Sequence, residues 1–190
     1  MWRQLRRRLA LRRLHRGPGK ADAFTILRDK GVPVSSVIDV GVLDGTPELM
    51  EAYPEVPHLL IEPLEDVQDK IYKRYTDAGI TYDLVQAAAS DTPGEIILHT
   101  KSAGASITHA RLDAPGNGTS TAARTARALP LDDILSERGL PAPSLLKIDV
   151  DGAELAVLRG AQKVLTRCSV VCIEASVATI FERSAPLTEA

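Results

Sequence analysis

Carboxylates dominate the places in this sequence where chemistry can be done. Asp39 and Asp44 sit with two glycines in Val37-Ile38-Asp39-Val40-Gly41-Val42-Leu43-Asp44-Gly45-Thr46. Glu62 ends Leu59-Leu60-Ile61-Glu62-Pro63, and Asp149, Asp151 and Glu154 crowd Lys147-Ile148-Asp149-Val150-Asp151-Gly152-Ala153-Glu154. Each stretch passes from an apolar run into a turn, which places its acids at the carboxyl edge of a sheet. Gly41 and Gly45 allow backbone angles closed to other residues and let main chain approach a ligand there. The spacing Gly41-x-x-x-Gly45 lacks the middle glycine of G-x-G-x-x-G, and position 46 is Thr, so a dinucleotide fits poorly. Asp39 and Asp44 would repel a diphosphate and suit a ligand with cationic groups. Glu62 lies 21 residues beyond Gly41, near the spacing at which an acid accepts the ribose hydroxyls of an adenosine. S-adenosylmethionine joins an adenosine to an ammonium and a sulfonium and carries no phosphate. A tight structural turn and a surface glutamate are the plain alternative.

The second acid cluster suggests proton transfer. A hydroxyl must lose its proton as it attacks a methyl carbon, and a carboxylate whose pKa is raised by its neighbours can take it. Asp149 and Asp151 are the candidate bases; they point to opposite sides of a strand, so at most one is expected to act directly. His109, in Ser106-Ile107-Thr108-His109, is a third candidate, because imidazole titrates near neutral pH, although a lone loop histidine is usually only solvated. Asp149, Asp151 and Glu154 also offer hard oxygen ligands, but their spacing matches no EF-hand loop and no metal site is assigned. Asp151 and Glu154 equally suit ordinary helix-start positions.

The elements that would hold these residues alternate. Strands are expected at Ser36 to Val40, His58 to Ile61, Tyr82 to Gln86, Leu145 to Val150 and Val170 to Glu174. Helices are expected near Ala21 to Lys30, Pro47 to Tyr53, Glu65 to Asp77, Leu131 to Arg138 and Ala153 to Thr166. The strands are continuously apolar, so helices should cover both faces of a mostly parallel sheet in a Rossmann-like α/β fold. Gly94 to Thr100 reads as an added antiparallel strand, since no crossover helix precedes it. Residues 101–128, rich in Ala, Gly, Ser and Thr, read as a long loop, either a lid or an excursion without a role.

Composition narrows the classes. A chain of 190 residues with 44% apolar content supports one domain, here residues 21–190, behind a basic arm at residues 1–20. That arm holds eight of the 23 Lys and Arg and no acid, leaving 15 basic against 25 acidic residues in the body. An acidic body argues against a broad nucleic-acid face, while the arm, with Trp2, Leu5 and Leu9 at helical spacing, suits a peripheral membrane contact or a solvated tail. Cys168 and Cys172 lie four apart on one expected strand, too splayed to bridge, and read as packed thiols of a cytoplasmic protein. No apolar run reaches the ~18–20 residues that cross a bilayer.

The chain resembles the FkbM-type methyltransferases, a family of S-adenosylmethionine-dependent enzymes with the class I Rossmann-like fold. The resemblance runs from about Val37 to Glu174. It rests on Val37-Ile38-Asp39-Val40-Gly41 with Gly45, Ile61-Glu62-Pro63, Ala88-Ala89-Ser90-Asp91 with Gly94-Glu95, Leu131-Asp132-Asp133-Ile134-Leu135, and the Lys147 to Glu154 stretch with Leu158-Arg159-Gly160-Ala161. It implies methyl transfer, usually to oxygen of a small-molecule or glycan acceptor, with Gly41 and its neighbours at the methionine part of the donor and Glu62 at its ribose. Residues near Gln86 to Ala88, including Ala87 and Ala88, would line the adenine. The family's glycine turn commonly carries Ala-Asn where this chain has Val42-Leu43, which removes a polar contact to the donor. Class I enzymes also continue past the fifth strand with a helix and an antiparallel pair, whereas only Val177 to Ala190 remain here. The expectation is a fold lacking its C-terminal strands, either a fragment or a chain whose sheet edge a partner, such as a second copy, covers. Leu43 and the missing strands also suit a catalytically silent binding or assembly module, and a nicotinamide-dependent enzyme is a third reading.

Overall fold

The computed structural model describes residues 19–103, 106–111 and 122–174, with 101–103 and 106–111 as backbone only. In chain order the first elements are α1 (Lys20–Asp29), β1 (Ser36–Val40), α2 (Pro47–Ala52), β2 (His58–Ile61), a 3-10 turn (Glu65–Val67), α3 (Gln68–Asp77) and β3 (Tyr82–Val85). There follow β4 (Ala88–Ala89), β5 (Gly94–Ala103), β6 (Ser106–Arg111) and β7 (Ala122–Leu129). The remainder is α4 (Leu131–Ser136), β8 (Ser144–Ile148), α5 (Glu154–Arg159), α6 (Gln162–Leu165) and β9 (Cys168–Ile173).

Five strands form a parallel sheet in the order β3-β2-β1-β8-β9. The chain therefore walks outward from β1 to β3, then returns to the other side of β1, so strand order reverses between β1 and β8. At such a reversal the loops leaving neighbouring strands diverge and leave a crevice at the carboxyl edge. Every residue of β1, β2 and β8 is buried, because helices cover both faces as the continuous apolar runs require. Ile38, Val40, Leu59, Ile61, Leu146 and Ile148 face α4, α5 and α6. The alternate residues face the other way: Val37 and Leu145 meet Phe24 of α1 and Leu49 of α2, and Leu60 meets Ile71 and Tyr75 of α3.

The expected Gly94 strand is present and antiparallel, as part of a second sheet ordered β4-β7-β5-β6. The reading of 101–128 as a loop is corrected. Described residues within it continue β5 and form β6 and most of β7, which pairs with β5 from Gly94↔Ala128 to Thr100↔Ala122. In β7 the inward residues are Ala126 and Ala128, and alanine gives too little contrast with its polar neighbours to display the alternation of a strand. The helix expected across Ala153 to Thr166 is broken between α5 and α6 at Gly160-Ala161. A Cβ on Gly160 would stand 1.9 Å from the Ser90 carbonyl oxygen, so the Ser90 loop packs where a side chain would otherwise be. Cys168 and Cys172 are half-buried free thiols, and burial raises the pKa of each. The basic arm and the segment after Glu174 lie outside the described residues, apart from Gly19, which precedes α1, and Lys20, which begins it.

Candidate functional site

The crevice between β1 and β8 is built by a bend at Gly41. Its φ is 79°, in the left-handed region. A Cβ there would lie 1.9 Å from the Asp149 carbonyl oxygen, so only glycine lets the ends of the two strands close up. The bend continues through Leu43, a non-glycine residue at φ 52°, to Gly45 at φ 115°. Leucine strains this conformation, and a hydrogen bond compensates: the Leu43 N–H donates to Glu62 Oε2 at 2.7 Å. The other oxygen, Oε1, accepts from Leu64 N–H at 2.9 Å. Glu62 is only 3% exposed. Burial, helped by the nearby Asp39 charge, pushes its pKa up, more than the two backbone donors and the Lys147 charge pull it down. Each carboxylate oxygen keeps a second acceptor site beyond these bonds.

Beside Glu62 opens a cavity of about 400 Å³, within the usual ~300–1,000 Å³ of small-molecule sites. Gly41, Asp44, Gly45, Glu62, Ala87, Ala88, Asp149 and Asp151, drawn from four separate stretches of sequence, all line it. Its charged lining comprises Asp44, Glu48, Glu62, Asp149, Asp151 and Glu174 against Lys20 and Lys147, so it attracts cations and repels phosphates. Asp44 also lies 3.6 Å from Arg74 across the half-exposed rim.

Asp39 is a correction to the expected ligand set. Its side chain is fully buried beneath the cavity, and its Oδ1 accepts from Lys147 Nζ at 2.9 Å. Asp39 and Lys147 are register partners in neighbouring strands, which sets both on the same face of the sheet. Lys147 also donates to the Gly41 carbonyl at 3.1 Å and stands 3.5 Å from Asp149 Oδ2. It therefore ties the buried acid, the glycine bend and the cavity wall together, and Asp39 acts on the site through it.

Asp149 does not carry the raised pKa expected of a base. Burial alone would raise it, but the Lys147 charge and a hydrogen bond from Lys20 Nζ at 3.0 Å outweigh burial and hold the carboxyl below its usual range. Lys20 bonds Glu174 as well, at 2.8 Å, joining α1 to the ends of β8 and β9. Burial lowers the Lys20 pKa, and these two carboxylates more than reverse it, so the net direction is up. Asp151 lines the cavity at φ 46°, a conformation Asp tolerates better than most residues. Glu154 turns to its own helix start, where Oε1 accepts from Gly152 N–H at 3.0 Å, as the helix-start reading expects. His109 falls in β6 as backbone only, and its side chain lies outside the described residues.

Lys20, Lys147 and Glu174 are site residues that the sequence reading did not single out. Lys147 left a signal: a lysine inside Leu145-Leu146-Lys147-Ile148 must be paired when the strand is buried, and Asp39 breaks β1 in the same way. Lys20 left none, since nothing local shows that a helix start reaches residues 129 and 154 positions away. Among the described residues no three His, Cys, Asp or Glu groups converge as metal ligands would, and no helix is long and apolar enough to cross a membrane.

A family model described as the methyltransferase FkbM domain matches residues 39–186. The crystal structure of methyltransferase FkbM from Methylobacillus flagellatus KT is similar in fold, with a TM-score of 0.50 at 20% identity. The match covers 75% of this chain and 33% of that one, so the chain spans about a third of that protein's length. No curated protein matches the chain.

Proposed function

The chain belongs to the FkbM methyltransferase domain family, and from that premise we propose that it binds S-adenosylmethionine and transfers the methyl group to a hydroxyl oxygen of a small-molecule or sugar-bearing acceptor. The observation that carries this reading is the Glu62 carboxylate, anchored 2.7 Å from the Leu43 N–H at the glycine bend and buried on the wall of an acid-lined cavity. A ligand with vicinal hydroxyls and cationic groups fits that donor set, and a diphosphate does not.

When bound, the donor supplies a methyl group already activated by its sulfonium. The chain's own task is then to position, to exclude water and to accept a proton. Glu62 receives the two ribose hydroxyls at the acceptor sites its backbone bonds leave open. The bend from Gly41 to Gly45 lets main chain lie against the methionine part, and Ala87 and Ala88, having no bulk, leave room for the adenine. Asp44 and Asp149 would face the cationic groups, and the depressed pKa of Asp149 keeps that carboxylate ionised. Asp151, rather than Asp149, is then the carboxylate assigned to take the acceptor's proton.

Isothermal calorimetry of the folded protein with S-adenosylmethionine tests the reading, with Glu62→Gln as the informative variant. Saturable heat that weakens in the variant is the expected result. Absence of any heat from folded wild-type protein would overturn it in favour of a silent binding or assembly module.

A further inference from the structure

Opposite charges stand side by side at the outer end of the glycine bend. A Cβ on Gly45 would meet the Arg74 side chain, 2.8 Å from Cδ, 3.3 Å from Nη1 and 3.6 Å from Nε. Arg74 comes from α3. Its stem rests against the bare Cα of Gly45, which carries the guanidinium to the rim of the cavity that Asp44 and Gly45 line. The two glycines of the bend therefore admit different neighbours: Gly41 a strand end, Gly45 an arginine.

Arg74 is held there without being used up. Its Nη2 lies 3.6 Å from Asp44 Oδ2, too long for a hydrogen bond, and one carboxylate at that distance leaves most of the five guanidinium N–H groups for another acceptor. The other cations at the cavity are committed. Lys147 Nζ donates to Asp39 and to the Gly41 carbonyl and faces Asp149, and Lys20 bridges Asp149 and Glu174. On α3 itself, Lys73 pairs with Asp77 at 2.6 Å, and Lys70 lies one turn before Arg74 on the same side of the helix. With Asp44 and Glu48 opposite, this end of the cavity carries both signs, whereas Glu62, Asp149, Asp151 and Glu174 make the rest of the wall mainly acidic.

An amino-acid terminus also carries both signs. The methionine part of the donor bears an ammonium and a carboxylate on one carbon, and an acidic lining that suits the first leaves the second in need of a partner. A guanidinium meets a carboxylate through two parallel N–H bonds, a geometry that a lysine ammonium does not offer. An aspartate and an arginine 3.6 Å apart present such a terminus with the reverse of its own charges.

We infer that Arg74 reads the α-carboxylate of the donor while Asp44 beside it takes the α-ammonium. The inference rests on the S-adenosylmethionine reading and adds to it a specificity-determining residue that belongs to no sequence motif. Arg74 makes the site select the intact donor over an otherwise identical sulfonium that lacks the carboxylate.

Calorimetry with S-adenosylmethionine and its decarboxylated analogue decides it. The analogue keeps the adenosine, sulfonium and ammonium and carries one more net positive charge, so an acid-lined cavity without Arg74 binds it at least as well. Wild-type protein is expected to prefer S-adenosylmethionine by about tenfold or more. In Arg74→Met, which keeps a stem against Gly45, the preference should shrink to within about twofold, through loss of S-adenosylmethionine affinity alone. Arg74→Lys should keep part of the preference, and Lys20→Met all of it. The Arg74 side chain is 40% exposed, and an unchanged melting temperature verifies the fold of each variant. An undiminished preference in Arg74→Met would overturn the assignment and place the carboxylate on main-chain N–H groups of the bend; a preference lost in Lys20→Met but kept in Arg74→Met would overturn it in favour of Lys20. Wild-type protein that binds both ligands equally removes this inference and leaves the donor reading standing, whereas folded protein that gives heat with neither removes both.

Discussion

Replacing Glu62 by Gln tests the heart of the site. The substitution keeps the shape of the side chain and changes one acceptor oxygen into a donor NH₂. Two backbone donors, Leu43 N–H at 2.7 Å and Leu64 N–H at 2.9 Å, now each hold one carboxylate oxygen. The amide serves only one of them, so the other faces a second donor in a buried site, at a cost of about 1–3 kcal/mol. The pH dependence follows from the raised pKa. A carboxyl that holds its proton more tightly folded than unfolded contributes stability that is complete below the ordinary value of about 4.3 and is lost as pH rises through the folded value. Glutamine has no such loss, so in urea denaturation from about pH 4 upward the wild type should lose stability relative to the variant as pH rises. Ligand binding gives the larger signal. Hydrogen bonds from hydroxyls to an ionised carboxylate are worth about 1.5–3 kcal/mol, which corresponds to roughly a 10- to 150-fold weaker Kd for S-adenosylmethionine. A folded Glu62→Gln protein that binds within twofold of wild type would refute the role given to this carboxylate, whatever its stability.

Other substitutions probe the parts that hold it. Gly41→Ala combines a left-handed φ, costing roughly 1–2 kcal/mol, with a Cβ only 1.9 Å from the Asp149 carbonyl; overpacking adds about 1–3 kcal/mol. Urea denaturation should show both, and donor heat should vanish even where the protein remains folded. Lys147→Met strands the buried Asp39 carboxylate and should cost about 3–5 kcal/mol, most of it recovered in Asp39→Asn/Lys147→Met; a double variant no better than the single one would disprove the pairing. Leu43→Asn places a residue that tolerates φ 52° and adds a polar group beside the cavity, so S-adenosylmethionine affinity should rise several-fold in calorimetry with the melting temperature little changed.

The parallel sheet was legible because burial on both faces leaves a clear mark: Ser36 to Val40 and His58 to Ile61 carry Val, Ile and Leu on both faces, interrupted only by Ser36, Asp39 and His58, end at a glycine or a proline turn, and both strands fall where the runs do. The bend was legible for a similar reason, since Gly41 and Gly45 stand at positions whose φ values few other residues adopt. Of the second sheet only β5 was, through the turn before Gly94. Its strand β7 presents alanines inward, and its partners lie across long separations that no local pattern records.

Charge was the hardest property to read. A cluster such as Asp149, Asp151 and Glu154 looks in sequence like mutual repulsion, and repulsion raises carboxylate pKa values. In the fold each acid has its own circumstances: Glu154 answers a backbone N–H, Asp149 sits between two lysines, and Asp151 lines the cavity with its backbone in the left-handed region. The two lysines differ in visibility for a physical reason. Lys147 is buried in a strand, where a charge demands a partner, so Asp39 in the adjoining apolar run could have been matched to it by register. Lys20 begins a solvent-facing helix and is 41% exposed, where lysine is ordinary and signals nothing. Yet Lys20 sets the ionisation of Asp149 together with Lys147, because a charge acts across space at 3 Å whatever the length of chain between. The acid-base character of this site is therefore a property of the assembled strand ends and α1, and a sequence motif confined to residues 147–154 carries only part of it.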